Sequence, residues 1–280
     1  MGLLLGMLWR LKNRTLLCEE QRPLLMGILN VTPDSFSDGG TYFSCEKAVD
    51  RALRMEEEGA DLIDIGGEST RPNAQEVSAA EELNRVIPVF EALRGKMKIP
   101  LSIDTTKSLV AREAIAAGAE VINDVSAFEW DPELLTVARE TQAGYVLMHA
   151  QGRPRTMQVN PQYEDIVQEI YDFLKNKLEI VERAGVSLES VVIDVGFGFG
   201  KTMEHHLTLL KHLRRFTELN RPVLLGVSRK SFLRQLVGAE FVESATTATH
   251  LLGSRQGVSL WRTHDIATAF AARKVLGACS

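Results

Sequence analysis

Side chains that can bind ligands or exchange protons stand at the ends of eight short apolar runs in this chain. Each run is rich in Val, Ile and Leu, as expected for a strand that is buried on both faces. The polar groups that end the runs are Asn30, Glu68, Asp104, Asn123 with Asp124, His149, Asp194, Ser228, and Arg262 with His264. In barrels of parallel strands the chemistry takes place at the carboxyl ends of the strands, so this recurrence predicts one site built from all the runs.

Two polar loops extend the predicted site. The first covers residues 30–40, Asn-Val-Thr-Pro-Asp-Ser-Phe-Ser-Asp-Gly-Gly, and the second covers residues 66–72, Gly-Gly-Glu-Ser-Thr-Arg-Pro. Ordinary turn chemistry explains the prolines and glycines, but it does not explain an asparagine, an arginine and several hydroxyl groups in the same loops. We therefore expect both loops to bind ligand.

The elements that must position these groups alternate along the chain. The predicted strands are Leu24–Asn30, Leu62–Gly66, Pro100–Asp104, Glu120–Asp124, Tyr145–His149, Val191–Val195, Val223–Val227 and Val258–Arg262. Stretches with helical periodicity lie between them: Glu46–Glu58, Ala79–Leu93, Ser108–Ala117, Pro132–Thr141, Tyr163–Arg183, Glu204–Thr217, Ser231–Leu236 with Val242–Leu252, and Ile266–Leu276. Eight such units predict an α/β protein with a single (β/α)8 TIM barrel, and an open doubly wound sheet is the alternative.

Length and composition agree with one barrel. The chain has 280 residues, of which 45% are hydrophobic and 25% are charged, so it can bury a large core. We assign residues 23–280 to the barrel domain and residues 1–22 to a short N-terminal cap over its bottom. Weak membrane contact is the alternative for the apolar start, which is too short to span a bilayer.

Charge and cysteine usage restrict the class of protein. The formal net charge of −5 argues against a nucleic-acid surface, so any bound anion must be held by a local cluster of donors. Cys18, Cys45 and Cys279 have neither metal-site spacing nor a paired pattern, which fits a reducing cytoplasm. We expect a cytoplasmic protein with no nucleic-acid or membrane partner.

Segments at successive strand ends resemble one enzyme family. They are MGILNVTPDSFSDGG, GADLIDIGGESTRP, SIDTTK, VINDVSA, LMHAQGRPRTMQ, DVGFGFGK, GVSRKSF and WRTHD. As a set, and in this order, they resemble dihydropteroate synthase, although Val195 stands where the family usually has proline. The resemblance implies a pterin-binding (β/α)8 barrel, commonly a homodimer, that uses Mg²⁺. It condenses 6-hydroxymethyl-7,8-dihydropterin pyrophosphate with p-aminobenzoate in folate biosynthesis.

The resemblance assigns five residues to the pterin. Asp194 would accept hydrogen bonds from the guanidine-like edge of the ring, and such charge-assisted bonds contribute about 1.5–3 kcal/mol each. Asp104 would add a second acceptor, and Asn123 would both donate and accept. Lys230 would donate to the ring carbonyl and a ring nitrogen, while Met148 would pack on the ring face. A structural role, such as a helix cap or a turn, is the alternative for each.

The pyrophosphate leaving group requires positive charge and N–H donors. Arg262 and His264 alternate at a strand end, so both side chains can reach one anion. Asn30 would be the Mg²⁺ ligand, because Mg²⁺ keeps most of its waters and binds substrate phosphate. Thr70 and Arg71 on the second loop would help to hold the pyrophosphate.

The implied mechanism is a dissociative, SN1-like substitution. The C–O bond to pyrophosphate breaks first and leaves a methylene cation that is delocalised into the dihydropterin. Arg262 and His264 would stabilise the leaving group, where one well-aimed donor contributes about 3 kcal/mol. Asp104 would stabilise the cation, and Lys230 completes the catalytic set. The arylamine is neutral at pH 7 and needs no dedicated base.

The residues expected to surround p-aminobenzoate are Phe36, Thr70, Pro72, Phe199, Lys230 and Ser231.

Other conspicuous residues are interpreted without a chemical role. Residues 196–201, Gly-Phe-Gly-Phe-Gly-Lys, match neither the dinucleotide nor the P-loop pattern. We interpret them as a loop that lets backbone approach the pterin. The helical histidines His205, His206 and His212 are predicted to be solvated rather than metal-binding.

Two other functions stay open at this point. A related pterin-binding barrel, of the methyltetrahydrofolate methyltransferase type, would share Asp104, Asn123 and Asp194 but would lack the pyrophosphate residues. A non-catalytic pterin-binding protein could keep the whole barrel. Pyrophosphate release that depends on p-aminobenzoate would separate the synthase from both.

Overall fold

Eight parallel strands close into a barrel, which confirms the predicted fold. The computed structural model describes residues 6–32, 40–69, 76–153 and 156–279, with the backbone alone for residues 40–44. The strands of the barrel are β3 (Leu24–Asn30), β4 (Leu62–Gly66), β5 (Leu101–Asp104), β6 (Val121–Asp124), β7 (Gly144–Met148), β8 (Val191–Asp194), β9 (Val223–Leu225) and β10 (Val258–Thr263). Their order in space follows the chain, and β10 pairs with β3 to close the ring.

Helices cover the outside of the barrel. They are α1 (Gly40–Glu57), α2 (Ala79–Leu93), α3 (Ser108–Ala117), α4 (Glu133–Thr141), α5 (Ile166–Arg183), α6 (Met203–Lys211), α7 (Arg214–Thr217), α8 (Ser231–Val237), α9 (Val242–Ser254) and α10 (Ile266–Ala278). The apolar faces of these helices pack against the strands in one continuous core that includes Phe90, Leu174 and Phe216. Among the described residues, none of the helices combines the length and the apolar character needed to cross a membrane.

Three helix predictions differ from the structure by more than two residues or in the number of helices. The predicted helix over 204–217 is two helices, because His212, with φ −122° and ψ 19°, leaves the helical conformation after α6 and α7 starts after Leu213. Helix α5 begins three residues later than predicted, where the side chain of Asp165 accepts the N–H groups of Val167 and Gln168. Helix α1 begins at Gly40 rather than Glu46.

A two-stranded hairpin fills the N-terminal end of the barrel. Its antiparallel strands, β1 (Met7–Arg10) and β2 (Thr15–Cys18), were not predicted as strands. The side chain of Trp9 is fully buried and its Nε1 donates to the carbonyl of Ser190 at 2.8 Å. Trp9, Leu11 and Cys18 pack with the inward-facing residues at the starts of the barrel strands. The hairpin therefore closes the bottom and leaves the carboxyl ends of the strands, here called the C-terminal rim, as the accessible end.

Candidate active site

An arginine at the end of β10 lies between two carboxylates at the C-terminal rim. Nε of Arg262 donates to Oδ2 of Asp64 at 2.7 Å, and Nη2 donates to Oδ2 of Asp104 at 2.6 Å. Nδ2 of Asn123 also donates to Oδ2 of Asp64, at 2.8 Å. Side chains from β4, β5, β6 and β10 thus form one connected polar cluster, and three of its four members were predicted as site residues.

Asp64 is the member of this cluster that sequence reasoning missed. Its side chain is fully buried, and Oδ1 has no hydrogen-bond partner within the described part of the chain. The residue lies inside the run Leu-Ile-Asp-Ile-Gly, so a rule based on strand ends pointed to the residues after it. The sequence did contain one signal for Asp64: an acidic residue in a strand that is buried on both faces needs a partner for its charge.

Asp194 ends β8 and faces the same cluster. Its Oδ1 accepts the backbone N–H of Gly196 at 2.7 Å. A Cβ at Gly226 would lie 3.5 Å from Oδ2 of Asp194 and 4.0 Å from Cβ of Arg262. The residue predicted to bind the pterin and the residue predicted to bind the pyrophosphate are therefore close together on the same rim, with the space of a missing side chain between them.

Burial and neighbouring cations act in opposite directions on the rim aspartates. Burial raises the pKa of Asp194, and the cations Lys230, Arg262 and Lys201 lower it. Burial also raises the pKa of Asp104 to about 7, against the ion pair with Arg262. Removal of a rim cation would therefore make these carboxylates harder to ionise.

Asp124, beside Asn123, shows how a structural aspartate differs. Its Oδ1 accepts from N and Oγ of Ser126, at 2.8 and 2.7 Å. Its Oδ2 accepts from the backbone N–H of Phe128 and the hydroxyl of Tyr145, at 2.5 and 2.6 Å. Both oxygens of Asp124 are used inside the protein, so this residue holds the loop after β6 rather than a ligand.

The glycine loop, residues 196–200, is packed directly on the end of β7. Gly196 has φ +71°, and a Cβ there would lie 1.8 Å from the carbonyl oxygen of His149, so no other residue fits. Lys201 lies beneath the loop and is almost fully buried. Its Nζ lies 3.0 Å from Nδ1 of His149 and donates to the carbonyl of Phe199 at 3.0 Å. Burial lowers the pKa of Lys201 to about 7, and this residue was not among the predicted site residues.

Phe199 and Lys230 meet at the other side of the glycine loop. Nζ of Lys230 lies 4.4 Å from the centre of the Phe199 ring, in the geometry of a cation–π contact. Phe199 also packs with Met148 and with the buried side chains of Val125 and Met157. Three residues predicted for the pterin and p-aminobenzoate, Phe199, Lys230 and Met148, are thus in one wall of the site. Ser231, the next residue after Lys230, is exposed at the start of α8.

His264 is held at the rim by Ser228, in the segment after β9, and by Arg51 on α1. Its Nδ1 lies 2.9 Å from Oγ of Ser228, which also accepts the backbone N–H of His264 at 3.2 Å. The carbonyl of His264 accepts from Nη2 of Arg51 at 3.1 Å. Asn30 is half-buried at the end of β3, the strand paired with β10.

The prediction that the helical histidines are solvated is wrong for His206. This side chain is 3% exposed, and its Nε2 accepts the backbone N–H of Gly198 at 2.8 Å. His205 and His212 do not share this position: the first caps the start of α6 and the second is exposed at its end. Adjacent positions on a helix face different directions, so one histidine of a pair can be buried while the other is not.

An ion-pair cluster stands at the base of the second loop. Nζ of Lys107 lies 2.5 Å from Oε2 of Glu68 and 2.6 Å from Oε2 of the fully buried Glu82. Oε1 of Glu68 accepts the backbone N–H of Val77 at 2.8 Å, so this carboxylate links the segment after β4 to the segment before α2. The predicted residues Phe36, Thr70, Arg71 and Pro72 lie outside the described residues.

The donor set at the rim suits a hydrated magnesium ion rather than a metal held by the protein alone. In the described part of the chain, no group of three or more His, Cys, Asp or Glu side chains could hold a metal ion. The amide oxygen of Asn30 is a hard ligand of the kind that Mg²⁺ accepts, and substrate phosphate and water can supply the remaining oxygens. The residues present therefore fit Mg²⁺.

Comparisons with known proteins show which family the chain resembles. Residues 26–264 match the family described as pterin binding enzyme. A dihydropteroate synthase from Haemophilus influenzae is 45% identical over 249 residues, which cover 88% of this chain and 90% of that protein.

Solved structures extend the similarity to the whole barrel. The dihydropteroate synthase of Xanthomonas albilineans, solved with 4-aminobenzoic acid, has a TM-score of 0.90 and 45% identity, over 98% of each chain. The Yersinia pestis dihydropteroate synthase, in a complex with a sulfonamide drug, has a TM-score of 0.90 and 41% identity, over 98% of this chain and 99% of that one.

Proposed function

The chain belongs to the pterin binding enzymes and, within them, to the dihydropteroate synthases, and from this premise we propose how its rim residues divide the reaction. The enzyme is a transferase of folate biosynthesis. It condenses 6-hydroxymethyl-7,8-dihydropterin pyrophosphate with p-aminobenzoate to give 7,8-dihydropteroate and pyrophosphate. One observation supports this assignment of residues above all: Arg262 contacts Asp64 and Asp104 and lies close to Asp194.

The pterin occupies the acidic side of the rim in this proposal. Asp194 accepts from the guanidine-like edge with Oδ2, while Gly196 holds its Oδ1. Asn123 and Asp104 bond other edges of the ring, Lys230 donates to its carbonyl and a ring nitrogen, and Met148 packs on its face. Charge-assisted bonds in a buried site supply both affinity and orientation.

The pyrophosphate is bound by the cationic side of the rim. Arg262 and His264 donate to its oxygens, and Thr70 and Arg71, outside the described residues, assist them. Asn30 would hold Mg²⁺, and the ion would supply positive charge to the pyrophosphate when bound. Arg262 can serve an anion because its two carboxylate partners fix its position before the substrate arrives.

Bond cleavage precedes bond formation in the proposed mechanism. The C–O bond to pyrophosphate breaks with its electron pair on oxygen, and Arg262 and His264 stabilise the leaving group. The methylene cation that remains is stabilised by Asp104. The neutral amine of p-aminobenzoate then attacks the methylene carbon, and the secondary ammonium that forms loses one proton to solvent.

p-Aminobenzoate lies on the Phe199 side of the site. In the proposal its ring packs near Phe199 and its carboxylate is bound by Lys230 and Ser231; the contact between Lys230 and the Phe199 ring and the exposure of Ser231 support this. Phe36, Thr70 and Pro72, outside the described residues, complete this subsite in the proposal. A sulfonamide is bound in the Yersinia pestis relative, so we expect sulfonamides to compete with p-aminobenzoate here.

We also propose a homodimer that acts in the cytoplasm. Apolar side chains on the late helices are exposed in one chain: Leu236 on α8, Phe241 before α9, Leu252 on α9 and Val275 on α10. Cys18, Cys45 and Cys279 are free thiols, which suits a reducing compartment. Light scattering of the wild type and of Leu252→Glu tests the dimer, which the variant should weaken.

One experiment tests the function directly. The purified protein is incubated with the pterin pyrophosphate and Mg²⁺, with and without p-aminobenzoate, and pyrophosphate and dihydropteroate are measured. Product formation that requires p-aminobenzoate is the expected result. Tight pterin binding without pyrophosphate release would instead indicate a non-catalytic pterin-binding protein.

A further inference from the structure

The glycine loop is held by side chains on both of its sides. The carbonyl of Gly198 accepts from Nε2 of Gln158 at 2.7 Å, and the carbonyl of Gly200 accepts from the hydroxyl of Tyr163 at 3.0 Å. On the inner side, Lys201 donates to the carbonyl of Phe199. The backbone N–H of Gly198 adds a further link, since it donates to Nε2 of His206.

His206 connects this loop to the start of α8. Its ring stacks on Phe232, with ring centres 4.4 Å apart and planes 7° apart. Phe197 completes a cluster of three rings, with its centre 5.8 Å from His206 and 5.9 Å from Phe232. Phe197 belongs to the glycine loop, and Phe232 follows Lys230 and Ser231 directly in the chain.

The same two segments carry the proposed p-aminobenzoate subsite. The glycine loop carries Phe199, and the start of α8 carries Lys230 and Ser231. A Cβ at Gly198 would lie 3.1 Å from Cδ of Lys230, so the loop backbone packs against the stem of this lysine. A shift of the Gly198 backbone would therefore move both Phe199 and Lys230.

We propose that His206 is a positioning residue for p-aminobenzoate, acting through Gly198 and Phe232 without touching substrate; this inference depends on the proposed function. Nε2 accepts from Gly198, so the ring is neutral with its proton on Nδ1. Burial, with help from nearby Lys201, lowers the pKa of His206 to about 3, so the ring stays an acceptor at neutral pH. The bond to Gly198 then fixes the distance between the loop and α8.

Two substitutions separate the acceptor from the ring. His206→Phe keeps a stacked ring and removes the acceptor, whereas His206→Gln keeps an acceptor and removes the ring. His212→Gln, at an exposed position at the end of α6, is the matched control. The measurements are steady-state kinetics in both substrates, equilibrium binding of the pterin, and hydrogen exchange of the Gly198 amide.

The expected result is a selective loss at p-aminobenzoate. In His206→Phe the buried N–H of Gly198 loses its acceptor, so the glycine loop should shift and the KM for p-aminobenzoate should rise about tenfold. The affinity for the pterin should stay within about twofold of the wild type. His206→Gln should restore most of this KM and the protection of the Gly198 amide, and His212→Gln should match the wild type.

Three results would overturn the inference: equal losses for both substrates, an unchanged KM for p-aminobenzoate in His206→Phe, or a glutamine variant no better than the phenylalanine one. If His206→Phe does not fold, His206→Leu replaces it in the same comparison. A wild-type enzyme without turnover would refute the proposed function instead, because that result does not depend on the variants.

Discussion

The two ends of the barrel use the same strands for different purposes. At the N-terminal end, the side chains of Trp9, Leu11 and Cys18 fill the interior of the barrel with apolar groups. The one polar side-chain atom of Trp9, Nε1, donates to the carbonyl of Ser190. At the C-terminal rim, Asp64 and Arg262 lie in the interior instead, and an oxygen of Asp64 has no partner in the described chain. One end gains stability from burial, and the other keeps buried polar groups available for a ligand.

This difference predicts that substitutions at the two ends separate into two classes. Changes at rim residues that face the ligand should reduce binding far more than they change the free energy of unfolding. Changes at the hairpin should reduce the free energy of unfolding while the kinetics of the folded enzyme stay the same.

The largest effect is expected for Asp194→Ala. Loss of two charge-assisted hydrogen bonds should weaken pterin binding by about 1000-fold, since such bonds contribute about 1.5–3 kcal/mol each. Isothermal titration with a pterin, alongside urea unfolding, measures both properties. Asp172→Ala, at an exposed position on α5, is the control. Near-normal pterin affinity in Asp194→Ala would remove this residue from the site.

Trp9→Ala tests the other end of the barrel. Removal of a fully buried tryptophan should lower the free energy of unfolding by about 4 kcal/mol. At a temperature where the variant stays folded, kcat/KM should match the wild type. Leu8→Ala, at the neighbouring position with 59% exposure, should change neither property. A large loss of kcat/KM in folded Trp9→Ala would contradict the separation of the two ends.

Arg262→Ala sharpens the comparison within the rim. The pyrophosphate ester should lose about 100-fold in affinity, the size expected for one buried charged contact, and free pterin should lose much less. Binding of both ligands to the same variant is the measurement. Equal losses for the two ligands would place Arg262 away from the pyrophosphate.

The smallest effect concerns the buried Lys201 and its dependence on pH. Burial lowers the pKa of Lys201 from 10.5 to about 7, so between these values the unfolded chain binds more protons than the folded one. Stability therefore rises with pH in this window. Relative to Lys201→Met, the wild type should gain about 2 kcal/mol between pH 7 and pH 9.

Urea unfolding of the wild type, Lys201→Met and the exposed control Lys211→Met at both pH values measures this gain. The control should follow the wild type. A constant difference between the wild type and Lys201→Met would show that the ammonium group is not desolvated.

The barrel could be predicted from the sequence because a strand that is buried on both faces has a distinctive composition. The end of such a strand, as at Asn123 or Asp194, also marks the rim, and the structure brings these residues to one end. The family of the chain could be predicted for a different reason, since its motifs occur in order along the strands.

The missing residues have no such local signal. Asp64 is hidden in a run of Leu and Ile, and its role appears when Arg262, 198 positions later, reaches it. His206 and His205 are adjacent, and the sequence does not show which of the two faces Phe232. Lys201 follows a glycine loop whose path over His149 depends on tertiary packing. Such residues are defined by contacts between distant segments, which periodicity does not report.

The close packing of Gly196 against the backbone of His149 has an evolutionary consequence. Even one methyl group at this position would collide with the backbone of the neighbouring strand end. Gly196 must therefore stay glycine even when selection favours enzymes that bind p-aminobenzoate better than its competitors. Variants that escape such competitors have to arise at other places on the rim, where a side chain can change without rebuilding the main chain.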